Sequence, residues 1–145
     1  MNIKRLLCLI LPCLFLAACD LEYSNNGMLD GNWQLRQIDT LATNGTCNMS
    51  QSYIYWAVQD KLLQIRDIDN DNLKILFRFE KKEGHLTILS PCKVITKDEL
   101  VPLETNELLL PFGITDIEET FLIENLSHGN LVLSNDLYRL HFRKY

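Results

Sequence analysis

The stretch Asn72-Leu-Lys-Ile-Leu-Phe-Arg-Phe-Glu80 sets the fold class. Leu73, Ile75, Phe77 and Phe79 fall on one side of an extended chain and Lys74, Arg78 and Glu80 on the other, which is the period of two expected of a half-buried β-strand. Downstream, Lys82-Glu83-Gly84 turns the chain into a second apolar run, His85 to Ser90. Upstream, Leu62 to Ile68 is joined through Asp60-Lys61 to the aromatic run Ser52 to Gln59. Gly31 to Ile38 opens the series, with Trp33 and Leu35 alternating with Gln34 and Arg36. Phe121 to Leu126, Asn130 to Ser134 and Leu137 to Lys144 close it as a meander, turned at Ser127 to Asn130 and at Asn135-Asp136. Eight short strands with little helix imply an all-β chain, either a closed barrel or a sandwich. An eight-stranded antiparallel up-and-down barrel is the expectation, because a strand as apolar as Leu73 to Phe79 would template aggregation at an open edge, and pairing the first strand with the last removes both edges.

Two stretches lack this alternation. Residues 39–51, rich in Thr, Asn, Gly and Ser, read as a loop. In Lys93 to Glu119, Thr115-Asp116-Ile117-Glu118 has the spacing of a helix capping box, and Glu107 to Leu110 before Pro111 suits a short helix or 3-10 turn equally well.

The N-terminus follows a different logic. Lys4 and Arg5 precede an apolar run of eleven residues, Leu6 to Leu16, which is too short to span a bilayer, since an ordinary helix needs about 20. Leu16-Ala17-Ala18-Cys19 then places small residues directly before a cysteine and resembles the cleavage site of bacterial lipoprotein signals. Residues 1–18 are therefore expected to be removed. Cys19 is expected to carry a diacylglyceryl thioether and an N-acyl chain such as palmitate, residues 19–30 to form a flexible tether, and residues 31–145 to form the barrel. Several acyl chains, at about 0.8 kcal/mol per buried methylene, make such an anchor lasting. The expected location is the cell envelope, at the outer membrane.

Cleavage removes two cations and no acid, so the formal charge moves from -5 to -7. An acidic domain without a basic stripe is unsuited to nucleic acid. Cys8 and Cys13 leave with the signal and Cys19 is acylated, so Cys47 and Cys92 remain in an oxidising compartment. A disulfide between them is expected, and closing its loop would contribute about 2 to 4 kcal/mol.

Gly31-x-Trp33 at the head of the first strand resembles the lipocalin signature, and Leu131 to Tyr145 is similar to the last hairpin of lipocalin-like cell-envelope lipoproteins of Bacteroidetes. The resemblance implies that Trp33 plugs one barrel end, with Arg139 or Arg143 of the last strand packed across it as a cation–π partner. It also implies a binding cup, and the aromatic density of the sequence offers Tyr53, Tyr55, Trp56, Phe77 and Phe79 as candidate lining for a small apolar or amphipathic ligand or a carbohydrate. The chain departs from the ligand carriers of that family in lacking a recognisable Thr-Asp-Tyr motif and a long C-terminal helix.

Other constellations carry less chemistry. Asp67-x-Asp69-x-Asp71 has the oxygen spacing of a calcium loop, but Asn72 stands where glycine is needed and Arg78 where a bidentate glutamate should be. His85, His128 and His141 are widely separated, so no metal site and no cofactor are expected. Nucleophile turns and phosphate-cradling glycine loops are lacking, and the expectation is a protein that is not an enzyme. Two functions stay open: a cup that holds a small molecule, or a filled barrel that docks a protein partner. Interior volume separates them.

Overall fold

Eight antiparallel strands run round a closed ring in the computed structural model, which describes residues 24–145. The described residues form ten strands: β1 (Gly31–Thr40), β2 (Gly45–Asn48), β3 (Ile54–Gln59), β4 (Leu62–Asp67), β5 (Leu73–Lys82), β6 (His85–Thr96), β7 (Glu99–Pro102), β8 (Glu119–Leu126), β9 (Asn130–Ser134) and β10 (Tyr138–Lys144). The ring order is β1-β3-β4-β5-β6-β8-β9-β10, and β10 pairs back onto β1 from Trp33↔Lys144 to Thr40↔Tyr138. Each ring strand thus neighbours the next in sequence, as the eight apolar runs imply. Residues 1–23, which hold the expected signal and Cys19, lie outside the described residues.

Alternation decides which side chains fill the ring. Ile54, Trp56 and Val58 of β3, Leu63 and Ile65 of β4, and Ile75, Phe77 and Phe79 of β5 are all buried. At the β1–β10 seam an extra residue, Arg36, forms a bulge between Leu35↔Phe142 and Gln37↔His141. The bulge restores the inward phase, so that Ile38 faces Leu140 after Leu35 has faced Phe142.

β2 and β7 add to the eight strands expected. β1 is long enough to pair β3 through Gly31 to Gln34 and then β2 through Gln37 to Thr40, all on one edge. β6 does likewise, pairing β8 through His85 to Ile88 and β7 through Cys92 to Thr96. The switch on β6 occurs at Ser90-Pro91, an irregularity opposite Phe77 with Ser90 at φ 52°. A bulge is where a strand tolerates proline, so β6 continues through Pro91 instead of stopping at Ser90.

The segment before β1 is also part of the fold, which corrects the expectation of a free tether up to Asp30. Gly27–Leu29 forms a 3-10 turn, and Leu29 is fully buried. Ser24 Oγ donates to Asp30 Oδ1 at 2.7 Å, and Asn26 Nδ2 donates to the Asp60 carbonyl at 2.7 Å. These bonds fasten residues 24–30 to the end of the ring that carries the β3–β4 turn. The interval 93–119 resolves into the end of β6, β7 and a 3-10 turn at Leu110–Phe112. Instead of capping a helix at Thr115, Glu119 accepts from the Thr115 and Asp116 amides in a loop.

Candidate functional site

The end of the ring at β1 is closed by Trp33. Its indole Nε1 donates to the Leu29 carbonyl at 2.8 Å, and the ring is fully buried. The cation above it is Lys144, whose Nζ lies 4.8 Å from the indole centroid and donates to the Met28 carbonyl at 3.2 Å. Neither Arg139 nor Arg143 takes that role. Register explains the correction, because Leu140, Phe142 and Lys144 share the inward phase, while Arg139 and Arg143 face out opposite Asp39 and Gln34. Gly31 sits at φ 128°, and a Cβ there would lie 2.6 Å from Lys144 Cε. Its lack of a side chain lets Lys144 fold over the indole.

The expected ligand pocket is divided between two faces. Trp56, Phe77 and Phe79 point inward and are packed, with Trp56 4.9 Å from Phe142 and 6.1 Å from Phe121 between ring centroids. Tyr53 and Tyr55 have the opposite phase and lie outside, with Tyr53 53% exposed. Leu109, Phe112 and Ile114 enter the core between β7 and β8, each at most 1% exposed. They are held by Asn135 Nδ2 donating to the Gly113 carbonyl at 3.0 Å and by Asn106 Nδ2 donating to the Thr115 carbonyl. Gly113 adopts φ 75°, and a Cβ there would meet Leu140 at 2.5 Å. Among the described residues, Trp56 Nε1 is the buried side-chain nitrogen left without a hydrogen-bond partner.

Several hollows lined by described residues open on the outside of the ring. One of about 400 Å³ is lined by Asn32, Tyr55, Ala57, Gln64, Arg66, Ile68 and Tyr145. Tyr55 and Tyr145 meet edge to face at 5.3 Å, and Tyr145 is tied down by its amide donating to the Asn32 carbonyl. Burial pushes the Tyr55 phenol up from its ordinary range, and Tyr145, Tyr53 and Asp69 add to the effect. Arg66 Nε donates to Asn72 Oδ1 at 2.6 Å, which fixes the guanidinium beside the hollow. The sequence signal for this face was the phase of Tyr53, Tyr55 and Ala57 against Trp56.

Outward groups also pair across strands, His141 with Asp39 over the β1–β10 seam and Arg139 with Glu124 from β10 to β8. His141 Nε2 lies 2.7 Å from Asp39 Oδ2, and Arg139 Nε donates to Glu124 Oε2 at 2.8 Å. Burial raises the Asp39 carboxyl, but hydrogen bonds from His141, Gln37 and Thr46 outweigh it and leave the group below its usual range. Glu124 is also lowered, chiefly by Arg139.

The expected disulfide is absent: Cys47 and Cys92 are free thiols. Cys47 lies on β2 beside β1, and Cys92 lies on β6. Three ring strands separate β1 from β6 in either direction, with the packed core between them. Strands lie about 4.8 Å apart, so the two positions are far beyond the roughly 7 Å between alpha carbons that a disulfide spans.

A family model described as Lipocalin-like domain matches residues 14–145. No curated protein matches the chain. Among solved structures, a lipocalin-like protein from Bacteroides uniformis ATCC 8492 is similar over 82% of this chain and 100% of its own, at 23% identity and a TM-score of 0.64. An uncharacterized protein from Bacteroides eggerthii DSM 20697 is similar over 80% of this chain and 98% of its own, at 19% identity and a TM-score of 0.59. Both likenesses concern the fold. With the closed ring and the tryptophan-sealed end on one side and the match over residues 14–145 on the other, the chain belongs to the lipocalin-like domain family.

Proposed function

We propose that the protein is a non-catalytic binding lipoprotein, anchored in the cell envelope through Cys19, that works through the outside of its ring. The observation that carries this reading is the filled interior. Trp33, Trp56, Phe77, Phe121 and Phe142 meet inside it, and Leu109, Phe112 and Ile114 occupy space where a carrier would hold a ligand. A fold that generally binds rather than catalyses supports the absence of an active site. The anchor rests on the Leu16-Ala17-Ala18-Cys19 stretch.

The test is native mass spectrometry of the protein extracted from the envelope. A bare acylated mass starting at Cys19 is the expected result. A reproducible small apolar adduct would return the function to the interior. That second reading has one observation in its favour, the unpartnered Trp56 Nε1, and it requires the segment around Phe112 to leave the ring.

A further inference from the structure

Three hollows adjoin at Gln64, two on the outer face and a third that reaches the rim of the ring, where Lys93 stands opposite the inward Ile75. Strand register explains why they connect. Asn32, Ala57, Gln64 and Leu76 form one outward row across β1, β3, β4 and β5, and Ala57, the smallest of them, leaves the row depressed. One end of this furrow has the Tyr55–Tyr145 pair and Arg66. The other end, about 390 Å³ in volume, is lined by Lys74, Lys93 and Lys97, with Asp71 as its one acid. Lys97 lies 3.8 Å from Asp98, but both are almost fully exposed, and such pairs contribute little. From β1 to β6 the furrow crosses four strand spacings, roughly 19 Å at about 4.8 Å each.

We infer that this furrow binds an acidic oligosaccharide. The inference rests on the outer-face reading proposed above and names the ligand class for it. Tyrosine rings offer flat apolar faces with a polar tip, which suits the C–H face of a pyranose flanked by hydroxyls. The Asn32 and Gln64 amides each present a donor and an acceptor, which matches neighbouring sugar hydroxyls. An open hollow lined by amides and cations does not exclude enough water to suit a purely apolar ligand. On a chain of net charge -5, three lysines against Asp71 and the Asp98 beside Lys97 leave a local positive excess, and Arg66, held through its Nε by Asn72, adds a further cation with its terminal nitrogens free for a carboxylate. Length, stacking rings and cations in one furrow therefore select a chain of sugars that carries carboxylates.

The experiment is calorimetric titration of the detergent-solubilised full-length protein with short oligomers of galacturonate, mannuronate and guluronate, alongside a neutral xylose oligomer and polyglutamate. Saturable binding of at least one uronate oligomer, weakening as salt rises, is expected. Tyr55→Ala and Tyr145→Ala should each weaken it about tenfold, as loss of a stacking anchor does. Lys93→Gln combined with Lys97→Gln should weaken it comparably and flatten its salt dependence. All of these residues are outward or half-exposed, so an unchanged melting temperature shows that each variant is folded. Absence of binding to every uronate oligomer overturns the inference. Binding that ignores both tyrosines, or equal binding of polyglutamate, also overturns it and marks the furrow as an acidic-peptide or general anion surface. None of these results touches the outer-face reading, which fails separately if an apolar molecule is found inside the ring.

Discussion

Trp56 sits where the alternating pattern of β3 meets Phe121 and Phe142, and its size makes it the best single gauge of a filled interior. Trp56→Ala should cost about 3 to 5 kcal/mol in denaturant unfolding, because it leaves a cavity in a packed core. Trp56→Phe should cost clearly less, since it keeps a ring and removes an indole N–H that has no partner. A near-neutral Trp56→Ala variant would contradict the packed core. Acid stability depends on two outward carboxylates, Asp39 at the β1–β10 seam and Glu124 on β8. Asp39 and Glu124 titrate below their unfolded values, so the stabilisation they supply is present above about pH 4 and is lost as pH falls through their folded values. Asp39→Asn together with Glu124→Gln should lower stability at neutral pH and flatten the acid side of the stability profile. An unchanged acid slope would show that these two carboxylates are not coupled to folding. The Lys144 contact was readable at this scale, because counting by twos from Leu140 reaches Lys144 and passes over both arginines.

Elements with one buried face were legible, and those without one were not. All eight ring strands alternate, whereas every residue of β2 and β7 is exposed and therefore carries no apolar period. The segment that fills the ring was obscure for another reason: Leu109 and Phe112 are spaced as on a helix, whereas Phe112 and Ile114 are spaced as on a strand. Phe112→Ala should cost about 3 to 5 kcal/mol if this segment is structural. A small loss accompanied by a new capacity to take up apolar dyes would show that it is displaceable. The cysteine pairing failed because spacing along a chain does not say which side of a ring a strand occupies. Reductant should accordingly leave the melting temperature of protein purified from the envelope unchanged. A drop on reduction would establish the bond between Cys47 and Cys92 that their placement argues against.

At the scale of the molecule, the N-terminal segment orients the ring relative to its proposed anchor. Ser24 accepts from the Asp60 amide at 2.9 Å and Asn26 bonds the Asp60 carbonyl, so the chain joins the ring at the tryptophan-sealed end. From Cys19 to Ser24 is five residues, which reach about 17 Å at most when extended. An acylated Cys19 would therefore hold the sealed end, with its Asp60-Lys61 and Glu83-Gly84 turns, close to the lipid headgroups, and would direct the Lys97-Asp98 turn away from them. The outer furrow would stand on the flank between these two ends and stay accessible to a long ligand in the aqueous layer. Fluorophores on single cysteines at Glu83 and at Asp98, in a Cys47→Ser and Cys92→Ser background reconstituted in vesicles, would read this arrangement through quenching by headgroup nitroxides. Strong quenching at Glu83 and weak quenching at Asp98 is the expected pattern. Equal quenching at both sites would mean that the ring tumbles on its leash, and a Cys19→Ser protein that stayed with the vesicles would remove the anchor on which the orientation depends.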